Sequence, residues 1–295
     1  MRATPFLLAF AVRLLAADGA GLLVSTEWLA SRLAQPDLVV LHAGTAADFA
    51  QGHIPGARLV ELTDISITGD DGLLVELPPL ERLRETFRRL GVSESSRVVV
   101  YAGEGPLPIA TRVFFTLDYL GLGDRTALLD GGLAAWRAEG RPLSREAAPA
   151  TPPGNFTPRP SAARLVDADR LRLPEAHRDF TVLDARAPEF YSGAKVRPPL
   201  RAGHIPGARN VPVAALLDEQ GKFKGRAELA AILEAAGVRR GVPVVAYCHI
   251  GMQASVLYFV ARYLGYDARL YDGSFEDWSR RAELPVAATV SAAGP

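Results

Sequence analysis

Short apolar runs alternate with stretches of helical periodicity along most of the chain. In the first half we predict strands at 38–41, 58–62, 97–101 and 127–129, and helices that include 80–90 and 109–120. Gly91 and Gly121 follow the two helical stretches, and glycine commonly ends a helix. Strands that are apolar throughout and alternate with helices predict an α/β fold, in which helices cover both faces of a parallel sheet.

The same succession of segments occurs twice. The heptapeptide Gly-His-Ile-Pro-Gly-Ala-Arg at 52–58 returns at 203–209. Five further pairs of similar segments keep the same order: 23–25 and 165–167, 39–43 and 181–185, 98–102 and 244–248, 119–121 and 263–265, and 130–136 and 272–278. The offsets between the copies are 142 to 151 residues, which is the size of a domain rather than of a solenoid repeat. We therefore predict two related domains at 22–141 and 163–286, followed by a tail at 287–295.

A proline-rich linker is predicted between the copies, at 142–162. Six prolines fall within residues 142–160, and prolines at this density exclude a helix or a central strand. The linker should be extended and fairly stiff, and we expect Phe156 to anchor it to one of the domains.

The composition is that of a globular protein with balanced charge. Apolar residues make up 48% of the chain, and Lys+Arg and Asp+Glu each number 33. This balance argues against nucleic acid or an anionic membrane as the main partner, and we predict a monomer that acts on small molecules. A single cysteine excludes an intrachain disulfide and a cysteine-based zinc site, and five scattered histidines do not predict a metal site.

The first twenty residues form a segment of their own. A basic start at Arg2, an apolar centre at 5–12 and a small-x-small sequence at 17–19 favour an export signal, and hence a periplasmic or exported protein. The alternative is a cytoplasmic protein with a disordered N-terminus. The apolar part is too short and too interrupted for a transmembrane helix.

Cys248, the only cysteine, ends the apolar run 244–248, and a helical pattern begins at Met252. A thiol at the tip of a strand and beneath the first turn of a helix lies where free N–H groups favour an anion. We expect this position to lower the thiol pKa and to make Cys248 a nucleophile. The alternative is a small buried apolar side chain.

The repeated hexapeptide Gly-His-Ile-Pro-Gly-Ala, the sequence Asp-Ala-Arg at 184–186, the unit around Cys248 and Asp-Gly-Ser at 272–274 together resemble the tandem-domain rhodaneses. This resemblance implies two rhodanese-like domains, each a small parallel β-sheet with helices on both faces, of which the C-terminal one is catalytic. It also implies transfer of a sulfane sulfur from an anionic donor to a small thiol, a protein thiol or cyanide. A persulfide on Cys248 would carry the sulfur without any cofactor.

The first copy lacks the features that this chemistry needs. Ala102 stands at the position of Cys248, and the sequence His-Ala-Gly at 42–44 replaces Asp-Ala-Arg. In the loop that follows, Pro106 and Pro108 remove N–H groups, and Glu104 would repel an anion. We therefore expect the first domain to be inactive.

Several residues of the second copy are candidate substrate-binding groups. Arg186 matches the substrate-binding arginine of the family, and the alternative is a structural salt bridge. The loop after the cysteine is expected to bind the donor or persulfide and comprises His249, Ile250, Gly251, Met252, Gln253 and Ala254. His249 would be partly charged near neutrality or act only as a loop donor.

Further candidates lie outside that loop. Lys195, Arg197 and Arg201 belong to an inserted segment, and they either extend an anion-binding rim or are solvated. Asp272 and Ser274 are expected to form hydrogen bonds to the loop backbone. His53 and His204 occupy the same position in the two hexapeptides. Because the histidine is also present in the first copy, which lacks the nucleophile, a structural role is favoured.

The loop Cys-His-Ile-Gly-Met-Gln-Ala leaves the donor open between thiosulfate, which His249 favours, and 3-mercaptopyruvate. A cysteine-dependent phosphatase is disfavoured, because Ala254 occupies the position where such enzymes carry an arginine. A persulfide-carrying binding module without rapid turnover remains an alternative. A peroxide-sensing role for Cys248 is disfavoured, because the chain has no second cysteine to resolve an oxidised thiol.

Overall fold

The computed structural model describes residues 21–147 and 151–289, and within them two parallel sheets of five strands each. The first sheet has the order β1-β5-β4-β2-β3 and consists of β1 (Leu23–Val24), β2 (Leu38–Ala43), β3 (Arg58–Val60), β4 (Arg97–Ala102) and β5 (Thr126–Leu129). The second sheet has the equivalent order β6-β10-β9-β7-β8 and consists of β6 (Leu165–Val166), β7 (Thr181–Asp184), β8 (Arg209–Asn210), β9 (Val244–Tyr247) and β10 (Ala268–Tyr271). The predicted α/β fold with parallel sheets is confirmed.

Helices follow most of the strands. Those of the first domain are α1 (Thr26–Ala30), α2 (Ala46–Gln51), α3 (Leu62–Ile65), α4 (Leu80–Arg89), α5 (Pro108–Tyr119) and α6 (Gly132–Ala138). Those of the second domain are α7 (Ala168–Leu171), α8 (Ala176–Asp179), α9 (Pro188–Ser192), α10 (Arg226–Ala235), α11 (Met252–Tyr263) and α12 (Ser274–Arg280). Short 3-10 turns occur at Gly123–Arg125, Ala162–Arg164 and Val213–Leu216.

The helix and strand boundaries follow local chemistry. Gly91 and Gly121 adopt positive φ angles of 71° and 94° just beyond α4 and α5, so the predicted helix ends are confirmed. The strand predicted at 58–62 ends two residues early, at Val60. The reason is a reciprocal cap, in which the Glu61 side chain accepts a bond from the Asp64 N–H and the Asp64 carboxylate accepts one from the Glu61 N–H.

The two domains share one apolar core. Helices α5 and α11 pack against each other, and the rings of Phe114 and Phe259 meet edge to face with their centroids 4.9 Å apart. The Thr111 and Ser255 hydroxyls, which are equivalent in the two helices, are hydrogen-bonded to each other at 2.7 Å. This pairing of equivalent positions relates the domains by an approximate two-fold arrangement.

The segments that precede the equivalent helices α4 and α10 each pack onto the other domain. The backbone N–H of Leu77 in the first domain donates to Asp272 Oδ2 of the second domain at 3.1 Å. The N–H of Phe223 in the second domain donates to Asp130 Oδ1 of the first, also at 3.1 Å. Each of these segments therefore lies beside the carboxyl ends of the other domain's strands.

The linker packs against the first domain. Phe156 is buried, and its N–H donates to the carbonyl of Val92 at 3.3 Å, which confirms that it anchors the linker. Within the part of the chain that the structure describes, no helix is long and apolar enough to cross a membrane. The predicted export signal at 1–20 lies outside the described residues.

Candidate active site

Cys248 lies directly after β9, the central strand of the second sheet, and its side chain is 1% exposed. Its backbone N–H donates to Ser274 Oγ at 3.2 Å, and its carbonyl accepts from the N–H of Phe275 at 3.0 Å. Ser274 therefore contacts the loop backbone as predicted. These bonds join the start of the loop to the start of α12 and fix the position of the thiol.

The backbone N–H groups of Ile250, Gln253 and Ala254 lie near enough to the Cys248 sulfur to favour its thiolate. Burial nevertheless raises the pKa of the Cys248 thiol, and Asp184 contributes in the same direction, while the three N–H groups act to lower the pKa. The prediction that the position beneath the helix lowers the thiol pKa is therefore wrong in its net direction. The sulfur is withdrawn from water, and this desolvation disfavours the thiolate more than the N–H groups favour it.

The remaining loop residues form the turn that leads into α11. Gly251 has a φ of 79°, in the left-handed region, and directly precedes the helix. Gly251 and Ala254 are buried, and Ile250, Met252 and Gln253 are half-buried. The structure therefore brings the whole loop around the thiol, while its binding of a donor remains a prediction.

His249 is neutral in this environment. Burial, and then the charges of Arg186 and Arg197, lower the pKa of His249 to about 4. Its ring is 9% exposed, meets the Phe190 ring edge to face at 4.7 Å between centroids, and places Nε2 without a hydrogen-bond partner among the described residues. The prediction that His249 carries partial charge near neutrality is therefore wrong, because it did not include burial.

Arg186 forms a buried ion pair. Its Nε lies 3.0 Å from both carboxylate oxygens of Asp184, and its Nη2 donates to Asp184 Oδ2 at 2.6 Å. A further bond joins Nη2 to the carbonyl of Gly203 at 2.8 Å, and the guanidinium lies 4.1 Å from the centroid of the Phe275 ring. The structure therefore shows the salt bridge considered as the alternative, and substrate binding by Arg186 remains a prediction.

The inserted segment has two different parts. Lys195 is exposed, and its Nζ lies 4.9 Å from the centroid of the Phe190 ring that contacts His249. Arg197 is exposed as well and close enough to His249 for its charge to affect the histidine pKa. Both cations therefore lie beside the loop, where a rim for an anionic donor would be.

Arg201 does not belong to such a rim. Its guanidinium donates to four carbonyl groups at the end of α12 and just beyond, at distances of 2.8 to 3.1 Å: those of Trp278, Ser279, Arg281 and Leu284. The prediction of an anion-binding role is wrong for this residue, because these backbone acceptors already occupy its donors. Arg201 instead satisfies carbonyls that a helix end leaves unpaired.

The expectation for Asp272 is also wrong. Instead of the loop backbone, its carboxylate contacts the first domain, where it accepts bonds from the N–H of Leu77 at 3.1 Å and from Arg112 Nη1 at 2.5 Å. Arg112 was missed by the sequence analysis. An arginine within an otherwise mostly apolar helix, α5, was the signal that could have identified a buried partner.

The histidines of the two hexapeptides are structural, as predicted. Nδ1 of His53 lies 2.9 Å from the carbonyl of Phe49, and Nδ1 of His204 lies 2.7 Å from the carbonyl of Tyr191. Each histidine ring also stacks on the ring of the same partner residue. The identical arrangement in both domains explains why the hexapeptide is repeated.

The equivalent site of the first domain has no nucleophile. Ala102 ends β4 where Cys248 follows β9, and Glu104 is paired with Arg137 at 2.5 Å. His42 stands in the place of Asp184, and burial lowers its pKa to about 4. A cavity of about 320 Å³ remains there, and the second domain contributes residues such as Phe223 to its wall.

Comparison with known proteins identifies this arrangement. A family model described as the rhodanese-like domain matches residues 25–139 and again residues 167–281. The chain belongs to the rhodanese family. The duplicated heptapeptide and the strand–loop–helix unit around Cys248 are thus parts of two rhodanese-like domains.

Three similar proteins place the chain among tandem members of the family. A thiosulfate sulfurtransferase of Azotobacter vinelandii is 36% identical, with 90% of this chain and 96% of the relative covered. A sulfur carrier protein of Thermus thermophilus is 33% identical, with 90% and 96% covered. The crystal structure of the 3-mercaptopyruvate sulfotransferase SseA from Escherichia coli matches with a TM-score of 0.75 at 30% identity and covers 86% of this chain and 99% of that chain. The relatives support a sulfurtransferase, without resolving its preferred donor.

Proposed function

We propose that Cys248 is the nucleophile of this sulfurtransferase and that thiosulfate is its donor. The Cys248 thiolate attacks the outer sulfur of thiosulfate, the S–S bond of the donor breaks, and sulfite leaves with the bonding electron pair. The enzyme then carries a persulfide on Cys248. A thiolate or cyanide attacks the terminal sulfur of this persulfide, which releases the Cys248 thiolate and requires no cofactor.

The observation that carries this proposal is the position of Cys248, buried between the end of β9 and the start of α11, with the Ile250, Gln253 and Ala254 N–H groups near its sulfur. A persulfide places its negative charge one atom further from the backbone, in the concave loop that these donors line. Fixed N–H groups in a buried site stabilise such a charge more effectively than water does, because they need no reorganisation. We assign donor binding to the loop from His249 to Ala254.

The donor is anionic, and exposed cations lie beside the loop. Lys195 and Arg197 would attract the donor electrostatically. Arg186, which is paired with Asp184 in the protein interior, would stabilise the negative charge of the bound donor. Neutral His249 no longer favours thiosulfate over 3-mercaptopyruvate. We retain thiosulfate because the Azotobacter relative has that activity in its name, and 3-mercaptopyruvate is the second candidate because of the Escherichia coli structure.

A steady-state comparison of the two donors on the purified protein tests the choice. With cyanide as the acceptor, kcat/KM should be higher for thiosulfate, and substitution of Lys195 and Arg197 by glutamine should raise KM for both anions. A higher kcat/KM for 3-mercaptopyruvate would reverse the assignment. A stable persulfide by mass spectrometry, without turnover on either donor, would instead identify a sulfur carrier like the Thermus relative.

The acceptor and the cellular compartment complete the proposal. We propose a small thiol, a protein thiol or cyanide as the acceptor, and an exported monomer from which residues 1–20 are removed on export. N-terminal sequencing of the exported fraction tests the cleavage. Light scattering on the purified protein tests the monomer.

A further inference from the structure

Arg112 of the first domain reaches into the catalytic half of the molecule. It lies on α5 with its side chain fully buried, donates from Nη1 to Asp272 Oδ1 at 2.5 Å, and donates from Nη2 to the carbonyl of Val75 at 2.6 Å. Its guanidinium also lies 5.1 Å from the centroid of the Phe115 ring. A fully buried arginine held by these contacts has a fixed position.

The same guanidinium packs against the catalytic loop. A Cβ atom placed on Gly251 would lie 2.9 Å from the carbonyl oxygen of Asp272 and 3.1 Å from Arg112 Nη1. Arg112 and Asp272 therefore fill the space that a side chain at position 251 would need. Gly251 lies between Ile250 on one side and Gln253 and Ala254 on the other, the three residues whose N–H groups act to lower the Cys248 pKa.

The arginine occurs on only one of the two equivalent helices. Arg112 is the fifth residue of α5, which begins at Pro108, and the fifth residue of α11, which begins at Met252, is Val256. The neighbouring positions, Thr111 and Ser255, keep the symmetric contact. Of the two equivalent helices, the one that carries the arginine is thus the one that faces the loop with the cysteine.

We propose that Arg112 is a positioning residue for sulfur transfer, through which the inactive domain holds the persulfide loop in its working geometry. Arg112 and Asp272 support Gly251, and Gly251 sets the directions of the N–H groups on either side of it. The inactive domain thus contributes to the reaction without touching the donor. This inference rests on the proposed role of Cys248.

The test compares two substitutions at the domain interface of the full chain. Arg112→Met removes the contact with the loop. Arg262→Met is the matched control, because Arg262 also spans the interface in a bond to Asp118 at 2.7 Å but lies about 16 Å along α11 from Gly251. Both substitutions should lower the melting temperature, so stability alone does not separate the two roles.

Activity and thiol reactivity do separate them. For Arg112→Met we expect kcat with thiosulfate to fall by about 100-fold, the scale for a small misplacement of reacting groups, while KM changes little. The pH profile of Cys248 alkylation should move to higher pH, because misdirected N–H groups stabilise the thiolate less. Arg112→Lys keeps the charge and should recover part of kcat. Arg262→Met should leave kcat and the alkylation profile unchanged.

Each remaining outcome is decisive. If Arg112→Met loses stability but keeps the wild-type kcat and alkylation profile, the contact is only structural and the proposal is wrong. If Arg112→Met does not fold, Arg112→Lys and Asp272→Asn take its place, and wild-type values in both would overturn the proposal. If the wild-type protein forms no persulfide, the proposed function fails instead, which is a different result from a selective effect of Arg112.

Discussion

Asp184 and Arg186 form an ion pair beside the Cys248 thiol, with side-chain exposures of 0% and 2%. A single residue, Ala185, separates them in the sequence, and the pair joins the end of β7 to the first turn after it through contacts at 2.6 to 3.0 Å. Removing one partner of a buried pair leaves the other charge without compensation in a poorly solvated place.

Arg186→Ala should therefore destabilise the fold by about 3 to 5 kcal/mol, in addition to weakening donor use. Urea unfolding followed by circular dichroism measures the loss. The double variant Asp184→Asn/Arg186→Met should recover much of the stability but not the activity. A single variant with wild-type stability would show that the pair is not a structural element.

Cys248→Ser should abolish sulfur transfer with every donor, and the wild-type thiol should lose its proton only at high pH. Burial raises the pKa of the Cys248 thiol above its ordinary value, so the thiolate is the minor species at neutral pH. The pH profile of alkylation by iodoacetamide should therefore lie at higher pH in the folded protein than in the unfolded chain. Because the chain has one cysteine, the same reaction in urea gives the unperturbed profile as a control. A folded-state midpoint below that of the control would contradict the effect of burial.

Ala102→Cys introduced into Cys248→Ser should not restore activity. The loop after Ala102 contains Pro106 and Pro108, whose nitrogens carry no hydrogen, and Glu104 adds an acidic group. A new thiol there would meet neither the set of N–H donors nor a favourable charge. Mass spectrometry after incubation with thiosulfate checks the prediction, and a persulfide at residue 102 would show that the first domain retains a functional site.

The repeat made most of the fold predictable, since two copies of one pattern define domains, strands and the degenerate site of the first copy. Cys248 was predictable because its position depends on local sequence alone. The partners of Arg112 and Arg201 were not, because each is chosen by packing between segments distant in the sequence. The pKa directions of Cys248 and His249 were missed for a related reason, since burial of a loop cannot be read from its sequence.

His249→Gln should reduce the acid sensitivity of the fold. The pKa of His249 is 6.5 when unperturbed and about 4 in the folded protein, mainly because of burial. The unfolded chain thus binds more protons below pH 6.5, and stability falls as the pH decreases toward 4, by up to about 3 kcal/mol. Urea midpoints from pH 7 to pH 4 should decrease less in the variant. His42, with a pKa also lowered to about 4, contributes equally and should leave a residual decrease. Identical slopes in variant and wild type would contradict the assignment.

Glu76→Gln should stabilise the protein increasingly as the pH rises from 4.5 to 7. Burial, and then the charge of Asp272, raise the pKa of Glu76 from 4.5 to about 7, whereas Arg112 lowers it, and Asp71 and Asp277 add smaller increases. The folded state therefore holds a proton that the unfolded chain has lost, so the stability from this group is present below pH 4.5 and is lost as the pH rises through 7. The melting temperature of the variant, relative to wild type, should increase between pH 4.5 and pH 7 and then level off. Glu85→Gln, at an exposed position of α4, is the matched control and should show a constant difference. A constant difference for Glu76→Gln as well would place its carboxyl group outside the buried charge cluster at the domain interface.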